Sequence, residues 1–104
     1  MPERRTEIRM LCADVVELCW RDATGEDRRT MALLEDISTS GACLQLENSI
    51  PPAVEVRWRS PKQEFTGMVR YCVYREIGYF VGVEFGPSSR WTKKAFKPQH
   101  LLDL

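Results

Sequence analysis

The sequence of 104 residues lacks the features that mark several common classes of protein. It has a single histidine, His100, and its four cysteines form no C-x-x-C pair, so it carries no zinc-binding pattern. No apolar run approaches the roughly 20 residues that cross a bilayer as a helix. No apolar signal segment follows the charged start of the chain. We therefore expect a cytoplasmic protein without membrane insertion or a metal site.

The net charge shows no excess of either sign, because 15 basic and 15 acidic residues cancel. Proteins that track a long polyanion usually carry a large positive excess, so nucleic acid is not expected as a partner. The charges are nevertheless uneven: three arginines oppose two glutamates in residues 1–9, and four basic residues oppose one aspartate in residues 87–104. Basic ends on an acidic body favour a small anionic ligand or a partner protein.

The sequence does contain a strong alternation of apolar and polar residues with period two, which predicts β-strands. In the fifth of these strands, Phe65, Val69, Tyr71 and Val73 are predicted to share the buried face. Six short strands of this spacing predict an all-β, closed antiparallel barrel or sandwich, because closure removes exposed strand edges. The predicted strands cover about residues 10–21, 28–37, 42–46, 54–59, 65–73 and 79–85.

Two further features concern packing. A short C-terminal helix is predicted over residues 88–97, with a serine as its N-cap, Pro98 as its stop, and Trp91 or Phe96 available to plug one end of a barrel. Each cysteine lies in an apolar stretch, where a reduced cysteine behaves as a small hydrophobic residue. Core packing is therefore the main interpretation of the cysteines, and redox or metal chemistry is the alternative.

One short pattern is Arg5-x-x-x-Arg9, preceded by Arg4. With eleven arginines in the chain, this spacing is expected about once by chance, so it carries little information alone. A solvated N-terminal tail is the simpler interpretation of the three side chains.

A second pattern, Asp36-Ile-Ser38-Thr-Ser-Gly41, reads D-x-S-x-x-G. Its chance expectation in a chain of this composition is about one in sixty, which is mild support for a function. The alternative is a plain turn, in which Asp36 and Ser38 cap backbone amides and Gly41 supplies a positive φ.

Together, in this order and among β-strands, the two patterns resemble the PilZ domain family, whose signature is R-x-x-x-R on an N-terminal segment and [DN]-x-S-x-x-G between early strands. The segment 78–85 also resembles the late strand of that family. The resemblance covers about residues 4–86. It implies a six-stranded Greek-key β-barrel domain over residues 10–104, completed here by the predicted helix. The charged segment over residues 1–9 has little to hold it in place, so we predict a flexible arm there. The resemblance also implies a cytoplasmic receptor for the bacterial second messenger cyclic di-GMP.

Cyclic di-GMP presents two phosphates and two guanines. An arginine fork binds the guanine O6 and N7 acceptors and stacks on purine faces, and a carboxylate accepts hydrogen bonds from the guanine amine. The resemblance implies that Arg5 and Arg9 clamp phosphate and guanine, that Asp36 and Ser38 read guanine, and that Gly41 is a backbone platform. No other cofactor is implied.

The role of Arg4 is open: it could help to bind a stacked pair of ligand molecules, or it could be solvated. Arg70, Arg75 and Arg90 could add contacts, but no spacing places them. The output of such a receptor would be a changed surface that regulates an unidentified protein partner.

Three other functions are alternatives. A PilZ-like adaptor could act through protein contacts alone, without the ligand. An enzyme is not expected, because the chain has no G-x-S-x-G, H-E-x-x-H or Walker pattern. A single-strand binder would need exposed aromatic faces, whereas Trp58 and Tyr79 fall on the apolar faces of their predicted strands.

Overall fold

The alternating segments form β-strands in a computed structural model, which describes residues 9–59 and 63–86 together with the backbone of residues 102–103. The described elements are all strands, and the six predicted strands are confirmed with small differences at their ends. The strands are β1 (Met10–Arg21), β2 (Asp27–Ile37), β3 (Gly41–Leu46), β4 (Glu55–Arg59), β5 (Glu64–Arg75), β6 (Gly78–Phe85) and β7 (Leu102–Asp103).

Strands β1 to β6 close into an antiparallel barrel in the order β1-β2-β3-β6-β5-β4, with β4 pairing back onto β1. Closure between β1 and β4 is short, since only Cys19 and Trp20 pair with β4. Within the barrel, β3 and β4 are the consecutive strands that are not neighbours, and residues 47–54 connect them. Strand β7 was not predicted, and it pairs with β1 at Met10 and Leu11.

The inner faces of the six strands form one hydrophobic core. At one end the rings of Trp58, Phe65 and Phe85 pack together, with centroids 5.3–5.8 Å apart. This burial confirms the predicted core position of Trp58 and removes its ring as a stacking surface for single-stranded nucleic acid. The fully buried aliphatic side chains are Leu18, Leu34, Ile37, Leu44, Ile50, Val56, Val69 and Val81.

Strand β5 departs from its predicted pattern. Tyr71 and Val73 were predicted to share the buried face with Val69, but their side chains are 48% and 42% exposed. The register between β5 and β6 shifts between Val69 and Tyr71, so one inserted residue moves the following side chains to the other face. Cys72 consequently packs against the core, and Tyr71 lies on the outer surface.

The cysteines divide between the two faces, so the prediction of core packing is only partly right. Cys12 is buried and Cys72 packs against the core, whereas Cys19 and Cys43 are half-buried outside the core cluster. All four are free thiols. Burial raises the pKa of the Cys12 thiol to about 12, which keeps it protonated at neutral pH.

The turn between β1 and β2 forms as predicted, with Gly25 at a φ of 86°. No helix long and apolar enough to cross a membrane occurs among the residues described. The predicted helix over residues 88–97 and the predicted arm, apart from Arg9, lie outside the described residues.

Candidate ligand-binding site

Arg9 and Asp36, which are 27 residues apart in sequence, meet where β1 begins and β2 ends. The antiparallel pairing of β1 with β2 places Leu11 opposite Asp36, and this brings the residue just before β1 close to the same carboxylate. The Arg9 Nη1 donates to Asp36 Oδ1 at 2.6 Å. The two side chains are 53% and 19% exposed, so a ligand can reach this ion pair from solvent. Two of the predicted site residues are therefore in contact.

The bend after β2 is closed by Ser38. Its backbone N–H donates to the Gly41 carbonyl at 2.8 Å, and its hydroxyl donates to the same oxygen at 3.3 Å. Ser38 is only 1% exposed. Its hydroxyl therefore stabilises the bend from inside, and in this conformation it is not presented to solvent as a donor for a phosphate or a guanine.

Gly41 begins β3, and a side chain at this position is excluded by the neighbouring strand. A Cβ built there would lie 2.5 Å from the carbonyl oxygen of Val83 on β6. Its φ is not positive, so the turn interpretation of this glycine is wrong in that respect. The glycine is required because the backbones of β3 and β6 approach closely beside the bend.

Four paired residues run from Asp36 across the outer surface of the barrel. Asp36 is opposite Cys43, Cys43 is opposite Gly82, and Gly82 is opposite Tyr71. We call these four residues the polar row. The Tyr71 ring lies over Gly82, because a Cβ on Gly82 would overlap the ring atoms. The absence of a side chain at Gly82 thus leaves room for the aromatic ring against the backbone.

A small cleft of about 190 Å³ adjoins the polar row. Within it, Arg70 Nε lies 3.0 Å from Glu84 Oε1, which gives the site a second exposed arginine. Arg75 lies elsewhere, with its guanidinium 5.6 Å from the centre of the Phe80 ring. The cleft is lined by Arg9, Ser38, Ser40, Gly41, Ala42, Arg70, Tyr71, Gly82, Val83 and Glu84.

The thiol and phenol of the polar row are uncharged at neutral pH. Burial raises the pKa of Cys43, and the nearby Asp36 carboxylate raises it further. Burial is also the main reason why the pKa of Tyr71 is raised. The charges at this surface therefore come from two ion pairs, Arg9 with Asp36 and Arg70 with Glu84. Each pair offers guanidinium donors to an anion and carboxylate acceptors to an amine.

Sequence reasoning found Arg9, Asp36 and Gly41 at this surface but missed Tyr71 and Cys43. Nothing in the sequence indicated that Tyr71 is on the outer surface, because the alternation of apolar and polar residues continues past the inserted residue in β5. The other predicted site residues, Arg4 and Arg5, lie outside the described residues, as does Arg90.

No family model matches the chain, and no curated protein sequence matches it. In the parts of the chain described, residues 9–59 and 63–86, no cluster of histidine, cysteine, aspartate or glutamate is suited to hold a metal ion.

Proposed function

We propose that this chain is a receptor for cyclic di-GMP and binds the nucleotide in the cleft beside the polar row. The observation that carries the proposal is the ion pair between Arg9 and Asp36, which joins the two sequence patterns at one exposed surface. The Greek-key barrel of the PilZ resemblance is part of the same proposal. It is supported by a strand order in which β3 and β4 are not neighbours.

The two arginines suit the phosphates and guanines of the ligand. Arg9 uses an Nη1 donor on Asp36, which leaves most of the five guanidinium donors for a phosphate or for guanine O6 and N7. Arg70 offers the same chemistry on the other side of the cleft. A carboxylate oxygen of Asp36 can accept from the guanine amine while the other holds Arg9.

The Tyr71 ring supplies an apolar face for a purine. A base can stack on an aromatic side chain whatever its sequence context, and alanine substitutions attribute about 1–3 kcal/mol to such stacking. Because Gly82 carries no side chain, the ring lies close to the sheet, and Tyr71 is still 48% exposed. We propose that one guanine of the ligand stacks there.

The cleft is too small to hold the whole ligand. Its volume of about 190 Å³ is below the range of roughly 300–1,000 Å³ that is usual for small-molecule sites. We therefore propose that Arg4 and Arg5 provide further contacts when residues 1–9 order around the nucleotide. That ordering would cost about 1–2 kcal/mol per residue fixed, and the charged hydrogen bonds, at about 1.5–3 kcal/mol each, would have to exceed it.

In this proposal the chain is a binding protein of the bacterial cytoplasm and not an enzyme. The nucleotide shifts the equilibrium between two surfaces in proportion to its difference in affinity for them. The ordered arm then presents or hides a docking surface for a protein partner, and the ligand binds as one molecule or as a stacked pair.

Isothermal titration calorimetry of the full chain with cyclic di-GMP tests the proposal. GTP and cyclic di-AMP are the controls, because the first offers one guanine without the cyclic sugar–phosphate ring and the second offers that ring without guanine. We expect that, of the three nucleotides, only cyclic di-GMP shows saturable binding. Equal binding of all three, or of none, would overturn the proposal.

The second candidate function is an adaptor that acts through protein contacts without the nucleotide. The exposed apolar residues on the outer surface, among them Val15, Met31 and Ile77, favour it. The same titration separates the two candidates, because the adaptor would bind no nucleotide.

A further inference from the structure

A second row of paired residues lies beside the polar row on the outer surface of the barrel. Val15 is opposite Leu33, Leu33 is opposite Gln45, Gln45 is opposite Phe80, and Phe80 is opposite Val73. We call these five residues the apolar row. On β3, β6 and β5 it stands two residues from the polar row, a distance of about 7 Å along a strand.

The apolar row borders a larger cleft, with a volume of about 470 Å³. Met31 and Ile77 form two of its walls and are 58% and 70% exposed, although both side chains are fully apolar. The wall that carries Ile77 is fixed in place, since Gln45 Nε2 donates to the Ile77 carbonyl oxygen at 2.9 Å. The cleft is therefore a built concave surface with no covering side chain among the residues described.

The charged side chain in the lining of this cleft is acidic. Its lining includes Glu47 and no lysine or arginine, and Glu76 precedes Ile77 in the turn. Within the described ranges, neither Glu47 nor Glu76 forms an ion pair. Arg29 on β2 and Arg75 on β5 already have partners, since Arg29 lies 3.8 Å from Glu17 and Arg75 lies over the Phe80 ring.

We propose that this cleft docks a basic amphipathic segment of a partner protein. Apolar side chains of the segment would enter between Met31 and Ile77, and its lysines or arginines would pair with Glu47 and Glu76. Complementary charge is what selects the occupant. Nucleic acid and anionic membrane surfaces would be repelled by the glutamates, and a symmetric contact with a second copy would bring the same glutamates together.

This inference rests on the proposed function for its purpose, because the cleft would be the output surface of the receptor. A nucleotide on the polar row would lie within about two residues of the apolar row. Its presence, and any ordering of residues 1–9 there, would change what the partner meets. The docking itself does not need the nucleotide and can be measured without it.

The test uses fluorescence anisotropy of the full chain with a labelled synthetic peptide of about 14 residues, built from leucine and lysine in an amphipathic helical pattern. A peptide with glutamate in place of lysine is the charge control, and the buffer contains about 150 mM salt to screen weak nonspecific attraction. We expect the basic peptide to bind without nucleotide and the acidic peptide not to bind.

Two double variants locate the binding. Met31→Ser with Ile77→Ser, and Glu47→Lys with Glu76→Lys, should each weaken binding of the basic peptide about tenfold or more. The controls change exposed residues elsewhere: Met68→Ser controls for the loss of an exposed methionine, and Glu26→Lys with Glu55→Lys controls for the charge reversal. These should leave affinity within about twofold.

The peptide measurements would overturn the proposal in any of three cases. Both peptides bind equally, the cleft variants bind as the unmodified chain does, or the control variants lose as much affinity as the cleft variants. A dimer in analytical ultracentrifugation that Met31→Ser with Ile77→Ser abolishes would show that a second copy occupies the cleft, and would also overturn it. Nucleotide binding with no peptide binding would remove the docking cleft alone, whereas peptide binding with no nucleotide binding would remove the receptor alone.

Discussion

The polar row and the apolar row occupy the same strands β2, β3, β6 and β5, yet they present different chemistry. The polar row has an ion-paired carboxylate, a neutral thiol, a glycine and an aromatic ring. The apolar row extends onto β1 and is filled almost entirely by Val15, Leu33, Phe80 and Val73.

Irregular pairing borders the polar row. Register shifts lie between Leu11 and Asp14 on β1, between Leu34 and Asp36 on β2, and between Val69 and Tyr71 on β5. The last two positions border the polar row on β2 and β5, and the first lies beside Leu11, which is opposite Asp36. The strand pairs through the apolar row are regular. Bulges change the direction in which side chains point. The outer surface at the polar row therefore differs in backbone structure, as well as in side chains, from the regular surface at the apolar row.

Gly41→Ala should have the largest effect on the polar side of this comparison. The new Cβ would meet the Val83 carbonyl oxygen, which is backbone and cannot rotate away. We expect the free energy of unfolding to fall by about 2–3 kcal/mol, as for other overpacked sites, and the melting temperature to fall by roughly 10–20 °C. Urea and thermal denaturation followed by circular dichroism measure both.

Gly86→Ala is the matched control, because a Cβ there would meet nothing within 4 Å. It should change the free energy of unfolding by less than about 0.5 kcal/mol. Equal losses in the two variants would mean that the close approach of β3 and β6 is not what requires Gly41.

Arg9→Ala should have the next largest effect, and on binding alone. If the arginine contacts the nucleotide, its loss should weaken the affinity for cyclic di-GMP by about 10- to 100-fold, since about 1.4 kcal/mol is a factor of ten. Stability should change little, because exposed ion pairs contribute about 0–1 kcal/mol. Calorimetric titration gives the affinity, and denaturation gives the stability.

Arg21→Ala is the control for charge, since Arg21 is also exposed and ion-paired, to Asp27 in the β1–β2 hairpin. It should bind cyclic di-GMP within about twofold of the unmodified chain. Unchanged affinity in Arg9→Ala would separate the ion pair from the ligand and remove the proposed mechanism.

The strands were predictable from the sequence, and the bulges were not. Alternation located all six barrel strands because the side-chain period of two survives wherever one face is buried. Tyr71 was predicted to lie in the core because the alternation of apolar and polar residues continues past the inserted residue in β5. The insertion changes the pairing with β6, and the sequence does not reveal it. Strand β7 was not predicted because a strand of two residues is too short to show an alternation of apolar and polar residues.

The candidate site was predictable to a similar degree. Arg9 and Asp36 could be expected to meet, because the patterns that contain them recur together in a known family. Burial of Ser38 could not be expected, since its hydroxyl suits a ligand and a turn equally well. Arg70 could not be assigned either, because its approach depends on the long-range pairing of β5 with β6.

Gly82→Ala should show a smaller effect than Gly41→Ala, although the change is the same. Its Cβ would meet the outer atoms of the Tyr71 ring, which can rotate away. We expect a loss of stability of about 0.5–1 kcal/mol. We also expect cyclic di-GMP to bind about three- to tenfold more weakly, because the stacking face is displaced.

Val73→Ala is the control on the apolar row, since Val73 is about as exposed as Tyr71 and lies two positions after it on β5. Its affinity for the nucleotide should stay within about twofold of that of the unmodified chain. If Val73→Ala weakens nucleotide binding as much as Gly82→Ala does, the two rows do not have separate functions.

The smallest expected effect is a several-fold protection of Cys43 from alkylation by bound nucleotide. Cys43 lies in the polar row, whereas Cys19 is half-buried where β1 meets β4. Burial raises the pKa of Cys43, so less of its reactive thiolate is present at any given pH. The measurement is labelling with iodoacetamide at about pH 9, in which the rate for each thiol is compared with and without nucleotide. Because each thiol is compared with itself, differences in pKa between the thiols do not affect the result.

Comparing Cys43, Cys19 and Cys12 distinguishes direct protection of Cys43 by the nucleotide from stabilisation of the whole folded chain. A ligand that binds only the folded chain also suppresses global unfolding by mass action. Cys12, which is buried in the core and whose pKa is raised to about 12, reports that effect because opening of the core exposes its thiol. If the nucleotide covers the polar row, mass spectrometry should show slower labelling of Cys43 with Cys19 unchanged. Equal slowing of all three would indicate stabilisation from a site elsewhere, and no slowing at Cys43 would exclude the polar row as the surface that the nucleotide covers.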